Sequence, residues 1–218
     1  TNPDAFTFDI DEYFARLKPL CNERVLIGIE IGMQTHTAAE DKKVAQGHAF
    51  DFVLGSIHCI GKRDLYELTC YEGRTRQQIV EEFLQDSITC VEQDRDFDAF
   101  AHIDYICRYW PYEGEERELR LADAPELFDK LFKLLIEKNI PIEINTRRLD
   151  DAQAVAGLLP LYERYHALGG EYCTVGSDAH YAEHVGRRVA EALKIAAACQ
   201  LTPVYFKKRK MQIMEVSK

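Results

Sequence analysis

The sequence predicts one α/β domain, built around a parallel β-sheet or a β/α barrel. Short runs of aliphatic and β-branched residues alternate along the chain with longer runs whose apolar residues recur at helical spacing, a pattern typical of parallel α/β folds. The chain has 218 residues, 46% of them hydrophobic, which is enough for one substantial core. Because the sequence contains no internal repeat, low-complexity segment or linker, we expect residues 1–218 to form a single domain.

The first half of the chain predicts three helices and three strands in alternation. Helices are indicated by apolar residues at spacings of three and four, and Asp9 is placed to cap the first of them. Strands are indicated by short apolar runs such as residues 25–31 (VLIGIEI). The predicted elements are a helix at 8–20, a strand at 25–31, a helix at 35–47, a strand at 50–57, a helix at 75–91 and a strand at 97–106.

The second half continues this alternation and ends in a basic tail. Pro125 suits the first turn of a helix with Asp123 as its cap, and Gly169-Gly170 suits the end of the following helix. We expect the cluster Lys207-Lys208-Arg209-Lys210 to lie in a solvated turn. The predicted elements are a helix at 124–139, a strand at 140–145, a helix at 151–168, a strand at 172–175, a helix at 183–199 and a last short strand within 204–216.

The charge balance and the cysteine content limit the partners of this protein. The formal net charge is −10, which disfavours nucleic acids and anionic membranes as partners. No apolar run is long enough to cross a bilayer, and the first residues lack the pattern of a signal peptide. The seven cysteines are scattered without a Cys-x-x-Cys pair, as in reduced cytoplasmic proteins. We therefore expect a cytoplasmic protein that acts on a small molecule, with homo-oligomerisation left open.

The stretch Gly176-Ser177-Asp178-Ala179-His180 follows the last predicted core strand and is the first candidate for a functional site. Asp178 and His180 are two residues apart, and side chains with that spacing on a strand share a face. In parallel α/β folds, ligands bind outside the carboxyl ends of the strands. We therefore expect both side chains to point at one site there.

Three earlier predicted strands also carry or end in polar residues. Glu30 lies between glycines in an otherwise apolar strand, His58 follows the second strand, and His102 lies within the third. Glycines in a strand often mark the close approach of a ligand, although Glu30 on an edge strand facing water and histidines satisfied in the core are the alternatives. Asp104 is expected to orient His102 by a hydrogen bond. The fourth strand adds the polar residues of Glu143-Ile144-Asn145.

Metal-dependent hydrolysis is the chemistry that these residues share. Imidazole and carboxylate ligands without a thiolate suit Zn²⁺, Mn²⁺ or Fe, and a bridging Glu suits a site with two metals. The sequence has no phosphate-binding Gly-rich loop, no Gly-x-Ser-x-Gly motif and no His-Glu-x-x-His motif. The candidate ligands, which would also be the catalytic residues, are Glu30, His58, His102, Asp178 and His180.

Five ordered motifs in this sequence resemble those of the polymerase-and-histidinol-phosphatase (PHP) family, and most closely its histidinol-phosphate phosphatase branch. The motifs are GIEIG, GSIH, AHIDYICRY, EINT and GSDAH, and together they extend over nearly the whole chain. The resemblance implies a distorted, TIM-like barrel of seven β/α units with up to three divalent metal ions at its carboxyl rim. It also implies hydrolysis of L-histidinol phosphate to L-histidinol and phosphate in histidine biosynthesis.

The resemblance also assigns roles to individual residues. Glu30 would bridge two metal ions, His58 and His102 would complete the site of one of them, and Asp178 and His180 would reach the other two. Arg147, which follows EINT, would bind the phosphate group, with Arg108 as a second candidate. Surface charge without a function is the alternative for both arginines.

The sequence departs from the family pattern at its start. The family begins with a His-x-His strand and has a further His-bearing motif before the GIEIG strand, and residues 1–24 contain no histidine. We expect the first β/α unit to be missing from this chain, as in a trimmed form of a longer enzyme. The alternative functions are a PHP phosphoesterase that acts on another small phosphate monoester and a PHP-like accessory module without catalysis.

Overall fold

A computed structural model of the chain describes residues 8–93, 96–112 and 116–215. Strands and helices alternate along these residues, as the sequence predicts. The helices are α1 (Ile10–Leu17), α2 (Ala38–Gly47), α3 (Arg76–Glu92), α4 (Pro125–Glu137), α5 (Ala152–Ala167) and α6 (Val189–Ala198). The strands are β1 (Gly28–Gly32), β2 (Phe52–Ser56), β3 (Cys59–Ile60), β4 (Arg63–Asp64), β5 (Ala99–Phe100), β6 (Ile142–Asn145), β7 (Tyr172–Gly176), β8 (Thr202–Lys207) and β9 (Lys210–Ile213).

Seven strands form one mixed sheet in the order β1-β2-β5-β6-β7-β8-β9. The pairs from β1 to β8 are all parallel, and β9 returns antiparallel to β8. The short hairpin of β3 and β4 is separate from this sheet and was not predicted. Parallel strands joined by helices confirm the predicted α/β class.

The main sheet is strongly curled. Phe52 on β2 stacks on Phe206 on β8 with ring centroids 5.4 Å apart, although three strands lie between β2 and β8 in the sheet. The turn between β8 and β9 also reaches the residue before β5, since Arg209 Nε donates to Asp98 Oδ2 at 2.5 Å. These contacts between strands that are not neighbours show that the sheet curls into a barrel-like shape. In the described part of the chain, no pairing joins the outer strands β1 and β9.

The core lies between the sheet and the helices on its outer face. All four residues of β6 are buried, as in strands that are covered on both faces. Helix α4 contributes the fully buried side chains of Phe128, Leu131 and Phe132. Helix α3 begins with a capping box, in which the Thr75 hydroxyl accepts from the Gln78 N–H and the Gln78 side chain accepts from the Thr75 N–H. Asp9 caps α1, as predicted.

The predicted third strand at 97–106 is wrong in its length. Only Ala99–Phe100 pair as a strand, and Tyr105–Arg108 form a 3₁₀ turn, with the Tyr105 N–H donating to the His102 carbonyl at 2.9 Å. His102 and Asp104 therefore lie in the loop after β5 and not on the strand. The apolar residues of this loop (Ile103 and Ile106) are fully buried, so their hydrophobicity reflects the core and not a strand.

Two helix boundaries also differ from the prediction. The last helix begins at Val189 and not at 183, because Gly186 and Arg188 have positive φ angles of 74° and 57° that interrupt a helix. Asp123 does not cap α4, since Ala124 occupies the cap position. Both Asp123 carboxylate oxygens instead accept from the Arg76 guanidinium at 2.8 Å.

The basic tail forms the β8–β9 hairpin, and its turn is only partly solvated. Lys208 and Arg209 both adopt positive φ angles in the turn, and the Lys208 N–H donates to Asp51 Oδ1 at 2.9 Å. Because Arg209 forms ion pairs with Asp96 and Asp98, the expectation of a solvated cluster is wrong for this residue. Within the described residues, no helix combines the length and apolar character needed to cross a bilayer.

Candidate metal centre

Three potential metal ligands converge at the carboxyl side of β1, β2 and β5. On β1, Ile29 and Ile31 face the core, and the alternation of side chains therefore turns Glu30 to the opposite face. His58 and His102 each follow the last residue of their strand by two positions. Since β1, β2 and β5 are adjacent parallel strands, the ends of β2 and β5 bring both imidazoles beside the Glu30 carboxylate.

The three ligand atoms form a compact triangle. Glu30 Oε1 lies 3.2 Å from His58 Nε2 and 3.1 Å from His102 Nε2, and the two nitrogens are 3.4 Å apart. Ligand atoms at tetrahedral positions about 2.05 Å from a zinc ion lie about 3.3 Å from one another. The triangle therefore fits one divalent ion with three protein ligands, the number typical of a catalytic zinc site. No further group of three or more His, Cys, Asp or Glu ligands lies this close together in the described residues.

The charges in this triangle reinforce one another. Partial burial alone would raise the pKa of Glu30, but hydrogen bonds from His102 and His58 outweigh it and hold the pKa far below its usual range. Burial alone would lower the pKa of His102, whereas the Glu30 hydrogen bond and the nearby Glu143 carboxylate raise it. Glu30 is therefore an anion at neutral pH, as a metal ligand must be.

Asp178 and His180 lie in the loop after β7, so the expectation that they share a strand face is wrong. The strand ends at Gly176, and Asp178 has a left-handed φ of 50°. The two side chains are nevertheless close, with Asp178 Oδ1 3.5 Å from His180 Nδ1. The Asp178 side chain is nearly buried, whereas that of His180 is 65% exposed. The structure therefore places these two residues as a pair that is not part of the triangle.

Both candidate phosphate-binding arginines converge on Asp178. Arg108 Nη1 lies 2.9 Å from Asp178 Oδ2, and Arg147 Nη1 lies 3.6 Å from the same oxygen. Arg147 Nη1 is also 3.4 Å from His180 Nδ1. Asn145 Oδ1 accepts from the Arg147 N–H at 3.0 Å and from Arg108 Nη2 at 3.4 Å, which fixes the two arginines relative to each other. Two guanidinium groups therefore lie beside the Asp178 carboxylate.

Glu143 is a buried group near the metal centre for which the sequence suggested no specific role. Its Oε2 accepts from the His102 N–H at 2.9 Å and from Asn145 Nδ2 at 3.2 Å. Burial raises the pKa of Glu143, although the His102 charge and these hydrogen bonds act in the opposite direction. Glu143 thus holds the backbone of the His102 loop. The signal in the sequence was a carboxylate inside the apolar run IPIEIN.

The expected hydrogen bond between Asp104 and His102 is not present. His102 Nδ1 is buried and has no hydrogen-bond partner among the described residues. Asp104 instead accepts from Arg148 Nη1 at 3.0 Å, and Arg148 Nη2 donates to Glu118 Oε1 at 2.5 Å. Asp104 and Glu118 are buried, so their charges need a cation nearby, and Arg148 supplies it.

We expect Gly176→Ala to lower both stability and activity, because a β-carbon at Gly176 would overlap Glu143 Oε1. Overpacking of this kind costs about 1–3 kcal/mol. Displacement of Glu143 would also weaken its bond to the His102 N–H, and changes in groups that orient ligands lower activity about 10- to 100-fold. Thermal unfolding and steady-state kinetics measure the two effects.

Gly47→Ala is the matched control for this substitution. Gly47 ends α2, and a β-carbon there would meet nothing within 4 Å. This variant should keep its activity and unfold at the same or a slightly higher temperature. Equal stability and activity of Gly176→Ala and Gly47→Ala would show that a β-carbon at Gly176 does not displace Glu143.

Comparisons with known proteins agree on one family. Residues 4–147 match the PHP domain family. The chain is 39% identical to a probable histidinol-phosphatase of Clostridium acetobutylicum over 207 residues, which is 95% of this chain and 80% of that protein. It is 29% identical to a histidinol-phosphatase of Lactococcus lactis over 82% of this chain and 68% of that protein.

Solved structures give the same result. The structure of histidinol phosphate phosphatase from Lactococcus lactis, in complex with zinc, L-histidinol and phosphate, matches with a TM-score of 0.82 and 26% identity. The match covers 95% of this chain and 81% of that one. A putative histidinol phosphatase from Listeria monocytogenes shares the fold, with a TM-score of 0.64 and 16% identity over 84% of this chain and 75% of that one.

Proposed function

This chain belongs to the PHP domain family, and from that premise we propose that it is a metal-dependent phosphatase that hydrolyses L-histidinol phosphate to L-histidinol and phosphate. This reaction belongs to histidine biosynthesis. The observation that carries the proposal is the Glu30, His58 and His102 triangle, because its ligand chemistry and spacing suit a divalent ion at the rim where substrates bind in this fold.

The cofactor is a divalent metal ion, which Glu30, His58 and His102 would hold. Such an ion supplies positive charge that polarises the phosphoryl group and lowers the pKa of a bound water molecule. We assign Asp178 and His180 as ligands of further metal ions. This assignment is supported by their 3.5 Å separation and by the burial of the Asp178 carboxylate. Asp178 Oδ2 faces the arginines, while its Oδ1 faces His180.

We assign Arg108 and Arg147 to the phosphate group of the substrate. A guanidinium can donate two parallel hydrogen bonds to phosphate oxygens, and two guanidinium groups balance much of the charge of a phosphate monoester. Arg108 is nearly buried, whereas the Arg147 side chain is 42% exposed. Arg108 is therefore the more enclosed of the two side chains, and Arg147 is the more accessible to a bound substrate.

Phosphate release from L-histidinol phosphate by the purified protein tests this proposal. We expect turnover with added Zn²⁺ or Mn²⁺, loss of turnover with a chelator, and recovery when the metal is returned. A ring-free monoester, 2-aminoethyl phosphate, serves as the comparison substrate. Equal rates on both substrates would favour a phosphoesterase for another small monoester. Metal binding without hydrolysis of any monoester would favour an accessory module.

A further inference from the structure

The segment between β7 and α6 (residues 177–188) is tied to the loop after β6, which carries Arg147. The Thr146 N–H donates to the carbonyl of Gly176, the last residue of β7, at 2.8 Å. The Thr146 hydroxyl, which belongs to a buried residue, donates to the Arg187 carbonyl at 2.6 Å. Thr146 therefore links the loop after β6 to both ends of the segment that follows β7.

Arg188 makes a further link between these two parts of the chain. Its Nη2 lies 2.6 Å from Asp150 Oδ2, and its Nη1 donates to the Arg147 carbonyl at 3.4 Å. The Arg188 side chain is 14% exposed, so its guanidinium is enclosed between these two partners. The Arg147 N–H donates to Asn145 Oδ1, as described above. Both main-chain polar groups of Arg147 therefore have fixed partners.

The backbone conformation of Arg188 indicates that its side chain has a role of its own. Its φ of 57° and ψ of 21° are left-handed, a conformation that a β-carbon disfavours. Strained residues of this kind persist where the surrounding structure holds them, and they cluster at functional sites. Arg188 directly precedes α6, but its side chain makes no hydrogen bond that caps this helix. Its contacts go instead to Asp150 and to the Arg147 carbonyl.

We propose that Arg188 is a positioning residue for phosphate binding, an inference that rests on the function proposed above. Arg188 fixes the backbone from which the Arg147 guanidinium reaches Asp178 and His180, at 3.6 and 3.4 Å. Because the Arg147 side chain is long and 42% exposed, its placement depends on the backbone that carries it. A binding group that is held in place before the substrate arrives loses less entropy on binding. Arg188 acts through Arg147 and does not itself contact the phosphate.

Arg188→Gly tests this proposal without adding backbone strain, because glycine adopts a left-handed φ freely. We expect KM for L-histidinol phosphate to rise about 3- to 10-fold, as for the loss of one hydrogen bond, with kcat changed by less than about twofold. The inhibition constant of inorganic phosphate should rise by the same factor. Metal content should stay unchanged, since the side chain of Arg188 bonds to Arg147 and Asp150 and not to a candidate ligand. Arg188→Met, which keeps a β-carbon, should raise KM equally.

The double variant Arg147→Met/Arg188→Gly separates positioning from a role in folding alone. If Arg188 acts through Arg147, its replacement has no further effect on KM once the Arg147 guanidinium is gone. Lys194→Met is the surface control, because it removes an exposed positive charge from α6, and it should behave like the original protein. An unchanged KM in Arg188→Gly, or effects on KM that multiply in the double variant, would overturn the proposal.

Binding of inorganic phosphate to the zinc-loaded protein, measured by calorimetry, separates this inference from the proposed function. If the original protein does not hydrolyse L-histidinol phosphate, the proposed function fails, and the phosphate affinities still decide the role of Arg188. A weaker phosphate affinity in Arg188→Gly than in the original protein supports the positioning role. Equal affinities, or no binding by either protein, overturn it.

Discussion

Glu30→Gln should remove the tightly bound metal and lower kcat/KM for L-histidinol phosphate by at least about 100-fold. Substitutions of groups that only orient metal ligands already lower affinity or activity 10- to 100-fold, and Glu30 is a candidate ligand itself. Its carboxylate also lies within 3.2 Å of both His58 Nε2 and His102 Nε2. The neutral amide is a weaker ligand and removes the charge that balances the metal ion.

Metal content and turnover of the same preparation test this expectation together. Glu40→Gln is the matched control, because Glu40 is exposed on α2 and undergoes the same change of charge and shape. The control should bind metal and turn over substrate like the original protein. Glu30→Gln should keep its circular dichroism spectrum, since the core does not depend on this side chain. Full metal content with near-normal turnover in Glu30→Gln would contradict the assignment of the metal centre.

Local pattern was sufficient to predict the order of the elements and the three residues of the triangle. Glu30 was identifiable because a carboxylate stands between glycines in a short apolar run. His58 was identifiable because it follows such a run and His102 because it lies within one, and parallel strands place their carboxyl ends at one edge. These signals lie within a few residues of each candidate, where sequence patterns are informative.

The details of the loops could not be predicted, because they depend on partners far away in the sequence. Asp104 pairs with Arg148 across 44 residues, and Arg209 donates to Asp98 across 111 residues. No local pattern indicates which cation a buried carboxylate will find. Asp178 similarly leaves the strand because Gly176 is the last paired residue, while the apolar run before it gives no sign of the left-handed turn that follows.

Among the arginines that form ion pairs around this site, Arg148 is the one whose removal should lower the stability most. Its guanidinium donates to Asp104 and to Glu118, whose side chains are 6% and 2% exposed. Arg148→Met would leave two carboxylates buried without a cation, and breaking a buried pair from one side costs about 3–5 kcal/mol. For a domain of this size, such a loss lowers the unfolding temperature by roughly 10 °C, which thermal denaturation measures.

Arg164→Met provides the exposed counterpart of this substitution. Arg164 makes a two-pronged contact with Asp129, with donor–acceptor distances of 2.7 and 2.5 Å, but the side chain is 39% exposed. Water can replace this pair, so its removal should lower the stability far less than removal of Arg148 does. Equal losses of stability in Arg148→Met and Arg164→Met would show that burial does not increase the contribution of the Arg148 ion pairs.

Arg148→Met should also reduce catalysis, for a reason separate from its effect on stability. Asp104 lies between His102 and Arg108 in the loop after β5, and Arg148 directly follows Arg147 in the loop after β6. The Arg148–Asp104 pair therefore joins the loop that carries a metal-ligand candidate to the loop that carries a phosphate-binding candidate. In Arg148→Met/Asp104→Asn, one of the two unpaired charges is gone, so stability should partly recover while KM for L-histidinol phosphate stays raised. If both the stability and the KM recover in the double variant, the Arg148–Asp104 pair contributes only to folding.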